Sequence, residues 1–134
     1  MAEMTISRRN KDLLCVIYGL SRGKGDIRPR DILAGLDITP SSVTEGLKNL
    51  QTAGLVEYIP YGSISLTDLG LHSVEVIKQS RIMLSRVLVL IGVEPSVADH
   101  DACIMEQELS GDSCIRVIKA FEFLEKNIDM NKSI

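Results

Sequence analysis

From the N-terminus, the apolar positions read as three helices, a short hairpin and three more helices. Leu13, Leu14, Ile17, Tyr18 and Leu20 recur with a helical period between Asn10 and Leu20. Ser21 to Asp26, with two glycines, breaks that helix and reads as a plain loop, since it lacks the fixed spacing of a phosphate-binding Gly-Lys-Ser/Thr turn. Pro29 suits the first turn of a second helix carrying Ile32, Leu33 and Leu36. Thr39 then serves as N-cap, with Pro40 at the first helical position of a third helix. Val43, Leu47 and Leu50 stand four and three residues apart and point to a core, and Gly54 stops the helix. Leu55 to Ile59 is rich in strand formers and ends at Pro60, which cannot donate to a ladder. Tyr61 to Ser63 turns the chain, and Ser63 to Leu66 returns as a second strand. Thr67-Asp68 caps a long helix running towards Ile91, which Gly92 ends. Pro95 opens another helix to about Leu109, and Ser110 to Ser113 leads into a last one that is expected to fray from Asn127.

This order predicts a mainly α protein. Residues 1–72 form a winged helix-turn-helix with a two-stranded wing, and residues 73–134 form an all-helical dimerisation and metal-sensing domain. The third helix would lock an apolar underside into the core while presenting Ser41, Ser42, Thr44, Glu45 and Lys48 to a DNA groove. The three later helices carry more apolar surface than one small domain hides, which points to a twin across a two-fold axis.

Composition refines the picture. Apolar residues make up 45% of the 134 residues, but aromatics only 4% and Trp is absent, so the core must be aliphatic. The formal net charge of -3 hides an asymmetry. Arg8, Arg9, Lys11, Arg22, Lys24, Arg28 and Arg30 gather near the start, while acids concentrate from Glu94 to Glu125. A local basic face is what phosphate attraction needs. No leader-like run or membrane-length apolar stretch appears, and Cys15, Cys103 and Cys114 are too scattered for a disulfide framework, so a reducing cytoplasm is the expected address. His72 and His100 fall in no nucleophile–base arrangement, so no enzyme is expected.

Two pairs spaced three residues apart place candidate metal donors on single helix faces. Asp12 and Cys15 share the first helix, and Cys103 and Glu106, followed by Gln107 and Glu108, share the helix after Pro95. A carboxylate and a thiolate from each would suit a divalent transition ion. The plain alternative makes both cysteines core, Glu106 and Glu108 solvated surface, and Asp12 an acid near a helix start.

With these segments in place, the chain resembles the diphtheria-toxin-repressor and manganese-transport-regulator family of metal-dependent repressors, in its short form without a C-terminal barrel. The matching blocks are Asp31-Ile32, Thr39 to Val43, Gly54 to Val56, Leu66-Thr67 with Gly70, Ile91 to Val93, and Glu106 to Ser110. They span about residues 8–126. The resemblance implies a homodimeric repressor of metal-uptake genes that binds a double-stranded operator and takes Fe2+ or Mn2+, with Zn2+ or Co2+ as further options. By register it implies Asp12, Cys15, Cys103, Glu106 and Gln107 as metal ligands. It places Thr39, Pro40, Ser41, Ser42 and Thr44 on bases or phosphates, and Arg28, Arg30, Lys48 and the wing around Tyr61 on the backbone. The chain departs from the family where a His of the linking helix is expected, since Arg81 stands there, with Ser85 in place of an acid and Gln107 in place of a second His. Either Arg81 pairs with Asp12 or Glu106, its fixed charge standing where the metal would be, or Cys15 and Cys103 shift the site towards a softer ion. Two other readings remain: a relative that has lost metal and is thiol-controlled or constitutive, and a winged-helix adaptor that binds proteins.

Overall fold

The computed structural model describes residues 6–23, 26–60 and 62–130. Six helices and one hairpin follow in the expected order: α1 Arg8–Ser21, α2 Pro29–Leu33, α3 Pro40–Thr52, β1 Val56–Tyr58, β2 Ile64–Leu66, α4 Asp68–Leu90, α5 Pro95–Glu108 and α6 Gly111–Met130. They form two compact units that divide between Val76 and Ile77, within α4. Among the described residues no helix is long and apolar enough to cross a membrane.

The N-terminal unit is a three-helix cluster with a wing. Its core is wholly aliphatic: Leu13, Leu14, Ile17, Ile32, Val43, Leu47, Leu50, Leu55, Val56 and Val74 are all buried. α1 is capped by Ser7, whose hydroxyl accepts from the Asn10 N–H at 3.2 Å. α2 is shorter than the apolar pattern predicts, because Ala34 already ends it and Gly35 and Leu36 turn back onto the Ile32 carbonyl. Gly54 follows α3 at φ 79, the left-handed conformation that stops a helix without steric cost.

Both strands are three residues long and antiparallel, pairing Val56 with Leu66 and Tyr58 with Ile64. Ile27, which the sequence pattern left in a loop, adds an isolated bridge to Ile64, its carbonyl accepting from the Ile64 N–H at 2.9 Å. The hairpin is thereby pinned to the segment before α2. Thr67 joins wing to α4: its hydroxyl donates to the Gly54 carbonyl at 2.6 Å and accepts from the Gly70 N–H at 3.0 Å. Gly70 must be glycine for packing, since a Cβ there would lie 2.0 Å from the Leu55 carbonyl oxygen.

In the helical unit, Leu84 of α4, Ala102 of α5 and Cys114 of α6 form the buried centre, flanked by Leu88, Met105, Leu109, Val117 and Ile118. Arg86 of α4 reaches α6 twice, pairing with Glu125 and lying 5.5 Å above the Phe121 ring. α6 runs on to Met130, past the fraying expected from Asn127, whose side chain donates to the Phe123 carbonyl at 2.8 Å.

Candidate nucleic-acid interface and metal centre

The first turn of α3 is built by hydroxyls. Thr39 accepts from the Ser42 N–H at 3.2 Å and its own hydroxyl lies 3.0 Å from Ser42 Oγ and 3.2 Å from Ser41 Oγ. Pro40 occupies the position where no N–H is needed. Thr39, Pro40, Ser41, Thr44, Glu45 and Lys48 are exposed, and Ser42 is half-buried. Val43, Gly46, Leu47 and Leu50 hold the opposite side in the core. The exposed end is thus a rigid, polar helix N-terminus whose partial positive charge favours an anion.

Open grooves lie on either side of α3, one along its earlier turns and one along its later turns. One, of about 690 Å³, separates α3 from the wing and is lined by Thr44, Lys48, Gln51, Thr52, Tyr58 and Pro60. The other, of about 580 Å³, runs between the start of α1 and α3, with Arg8 and Arg9 on its rim beside Ser42 and Glu45. A smaller one of about 320 Å³ joins Arg28, Arg30 and Tyr58. Tyr58, Arg8 and Arg9 line these grooves beside α3, a placement the sequence reading did not anticipate. The basic cluster had flagged both arginines, but nothing local placed them beside α3. Tyr61, the expected wing contact, lies outside the described residues. Arg30 is exposed. Arg28 is partly committed, its Nε and Nη2 donating to one Asp26 oxygen at 3.1 and 3.0 Å, while its backbone N–H caps onto Asp31 at 2.8 Å.

The candidate metal donors divide between the units. Asp12 and Cys15 sit half-buried on α1, and Cys103 and Gln107 sit half-buried on α5. Glu106 is buried, at 5% exposure, which corrects the reading of it as solvated surface. Glu108, His72 and His100 are exposed. Cys114 belongs to the core, not to a site. Ala98, Ala102 and Glu106 recur every four residues, so the buried stripe of α5 ends on a carboxylate.

Arg81 meets that carboxylate. Its Nε donates to Glu106 Oε1 at 3.0 Å, with side chains 21% and 6% exposed. One turn on along α4, Ser85 donates to the Asp99 carboxylate. The two antiparallel rungs tie α4 to α5. Arg81 Nη2 is buried with no acceptor among the described residues. In neither unit do three or more His, Cys, Asp or Glu residues of the described chain gather to hold an ion. Within the helical unit Glu106 already faces a cation, so the donors of that unit, as arranged, do not fit a resident divalent metal.

Known proteins resemble the chain over these same elements. The family described as iron dependent repressor, N-terminal DNA binding domain, matches residues 5–64. The HTH-type transcriptional regulator MntR of Listeria monocytogenes is 32% identical over 124 residues, covering 92% of this chain and 87% of that protein. Among solved structures, a hypothetical protein from Sulfolobus solfataricus superposes with a TM-score of 0.74 at 22% identity, covering 87% of this chain and 89% of that one. A manganese-dependent transcriptional repressor in complex with manganese superposes with a TM-score of 0.63 at 22% identity, over 83% of this chain and 51% of that one. The structural likenesses establish a shared fold, and the sequence match to MntR establishes kinship. The chain belongs to the diphtheria-toxin-repressor and manganese-transport-regulator family of transcriptional regulators.

Proposed function

We propose that this protein is a homodimeric, sequence-specific repressor of metal-uptake genes that docks the first turns of α3 into a major groove of duplex DNA. The observation that carries this reading is the exposed hydroxyl-lined start of α3, a helix grooved on both flanks and backed by fully buried Val43 and Leu47. Thr39, Pro40, Ser41, Ser42 and Thr44 face the groove. Lys48, Arg30 and Arg28 meet phosphates, joined by Arg8, Arg9 and Tyr58. Phosphate contacts set register, and base edges set sequence. Glu45, an exposed acid among anions, is tolerable where it accepts from a cytosine amino group, and so it reads one base of each half-site.

A second copy supplies the other half-site. Ile82, Val89, Ile91, Ile115, Phe123 and Leu124 of the helical unit are exposed by 43% or more, an apolar surface suited to self-association. Manganese is the metal named for the manganese-dependent transcriptional repressor that shares this fold. In this chain the residues towards which such an ion would be directed are Asp12, Cys15, Cys103, Glu106 and Gln107, and the proposal routes no step through it.

The test is selection from a random duplex library followed by fluorescence anisotropy. Enrichment of a pseudo-palindrome with half-sites about one helical turn, or a multiple of it, apart is expected. Affinity should fall steeply with salt, and Lys48→Ala should lower the salt slope by roughly one per half-site. No enrichment and no salt-sensitive duplex binding would overturn the repressor and favour an adaptor that binds proteins.

A further inference from the structure

We infer that Arg81 is a tethered cation that stands in for a divalent ion at Glu106, so that the helical unit holds its arrangement, and the repressor its DNA affinity, without added metal. This rests on the DNA-binding reading above and concerns how that activity is regulated.

Glu106 is the one charged side chain among the buried residues described. A carboxylate in that position must be compensated, and the compensating group is covalently part of α4. A guanidinium cannot lose its proton in the physiological range and presents its donors in a fixed plane, so the compensation is permanent. A free ion, by contrast, would come and go with its concentration. The Ser85–Asp99 bond one turn away holds the same pair of helices, so the Arg81–Glu106 contact is one rung of a ladder and not an isolated surface pair.

The charge balance also works against an additional metal. The buried Nη2 end of Arg81 has no acceptor among the described residues, so the guanidinium keeps a donor directed beside Glu106 in addition to its Nε pair with that carboxylate. A divalent ion approaching the carboxylate would meet the guanidinium charge at short range, where little water screens it. Binding there requires Arg81 to leave. No group of three or more His, Cys, Asp or Glu residues among those described offers an alternative cage.

The experiment uses the full-length protein and the duplex selected above. DNA affinity and thermal melting are measured in EDTA and in excess Mn(II), then with Fe(II) under anaerobic conditions and with Zn(II). Wild type should bind with affinities within about twofold of each other in all conditions, and its melting temperature should not move. Arg81→Ala, with Glu106 deprived of the guanidinium, should lose stability and affinity in EDTA and regain both with Mn(II). A wild type that loses roughly tenfold or more in EDTA and recovers with Mn(II) would overturn the inference, as would an Arg81→Ala protein as indifferent to metal as wild type. Should Arg81→Ala fail to fold in both buffers, Glu106→Gln provides the second arm, since it preserves shape and leaves Arg81 an acceptor. It should lose some stability, because Arg81 then faces a neutral amide, but show no response to Mn(II), whereas a wild-type Mn(II) response abolished by Glu106→Gln would place the ion on that carboxylate and sink the proposal. Absence of duplex binding in every buffer would remove the repressor reading alone, because melting with and without Mn(II) still decides the part played by Arg81.

Discussion

Among the described residues, the N-terminal unit buries only apolar side chains and turns its hydroxyls and charges outward, while the helical unit buries a carboxylate and leaves aliphatic and aromatic side chains exposed. The first arrangement makes a self-sufficient reading head. Its core closes over Leu13, Leu14, Ile17, Val43 and Leu47, and the outer side of α3 is left polar. The second is incomplete by design, with an apolar exterior that asks for a partner and an interior charge that asks for a counter-charge. In the proposed function, the first unit would carry the reading surface and the second the self-association surface.

That contrast is broken most severely by removing the internal cation. Arg81→Ala leaves Glu106 buried without its partner, and truncation of one member of such a pair costs about 3–5 kcal/mol. Replacing both, as Arg81→Met with Glu106→Leu, should restore most of that loss, since a buried pair exchanged for apolar volume is often neutral. Urea denaturation of the three proteins checks this, and a double variant as unstable as the single one would show that the pair is not the unit of stability.

In the reading head the equivalent injury is a cavity. Leu47 is fully buried beneath α3, and Leu47→Ala should cost about 2–5 kcal/mol in unfolding free energy. Duplex affinity should fall with it, because the recognition surface is rigid only while its underside is filled. A smaller change acts on the same helix from outside. Thr39→Ala removes the cap that satisfies the Ser42 N–H and should cost about 1 kcal/mol by denaturation. Its loss in DNA affinity should exceed that figure, because the proposed contact surface includes Thr39 as well.

The two units also differed in how openly they could be read from sequence. Thr39-Pro40, the Val43–Leu47–Leu50 spacing, Gly54 and Pro60 are local signals with local causes, and helices and hairpin follow from them. What escaped was non-local. The bridge from Ile27 to Ile64 and the groove that joins Arg8 and Arg9 to α3 depend on segments far apart in the chain. Glu106 is the sharper case. Its neighbours Glu108 and Gln107 give no hint that one acid of the run is buried, and only the Ala98–Ala102–Glu106 stripe, read as one face, points inward. The family register put Arg81 at the position where the linking helix is expected to supply a His, yet left Asp12 and Glu106 as equal partners. The described contact is with Glu106.

The smallest expected effect sharpens the comparison, because it uses the same chemistry in a different place. Arg116 donates from Nε to Asp112 at 3.1 Å, a helical pair one turn apart on α6, with side chains 77% and 69% exposed. Distance alone would rank it level with Arg81–Glu106 at 3.0 Å. Burial separates them. An exposed pair of this spacing keeps most of its hydration in either state and is screened by salt, so its contribution is about 0.3–0.5 kcal/mol. Arg116→Ala should therefore leave the urea midpoint nearly unchanged, and the small difference should vanish at about 1 M salt, where screening reaches within a few ångströms. Arg81→Ala should keep most of its effect at the same salt concentration, because the ions cannot enter between groups that exclude water. Equal salt sensitivity in the two variants would mean that Glu106 is wet, and the internal-cation account of the helical unit would fail with it.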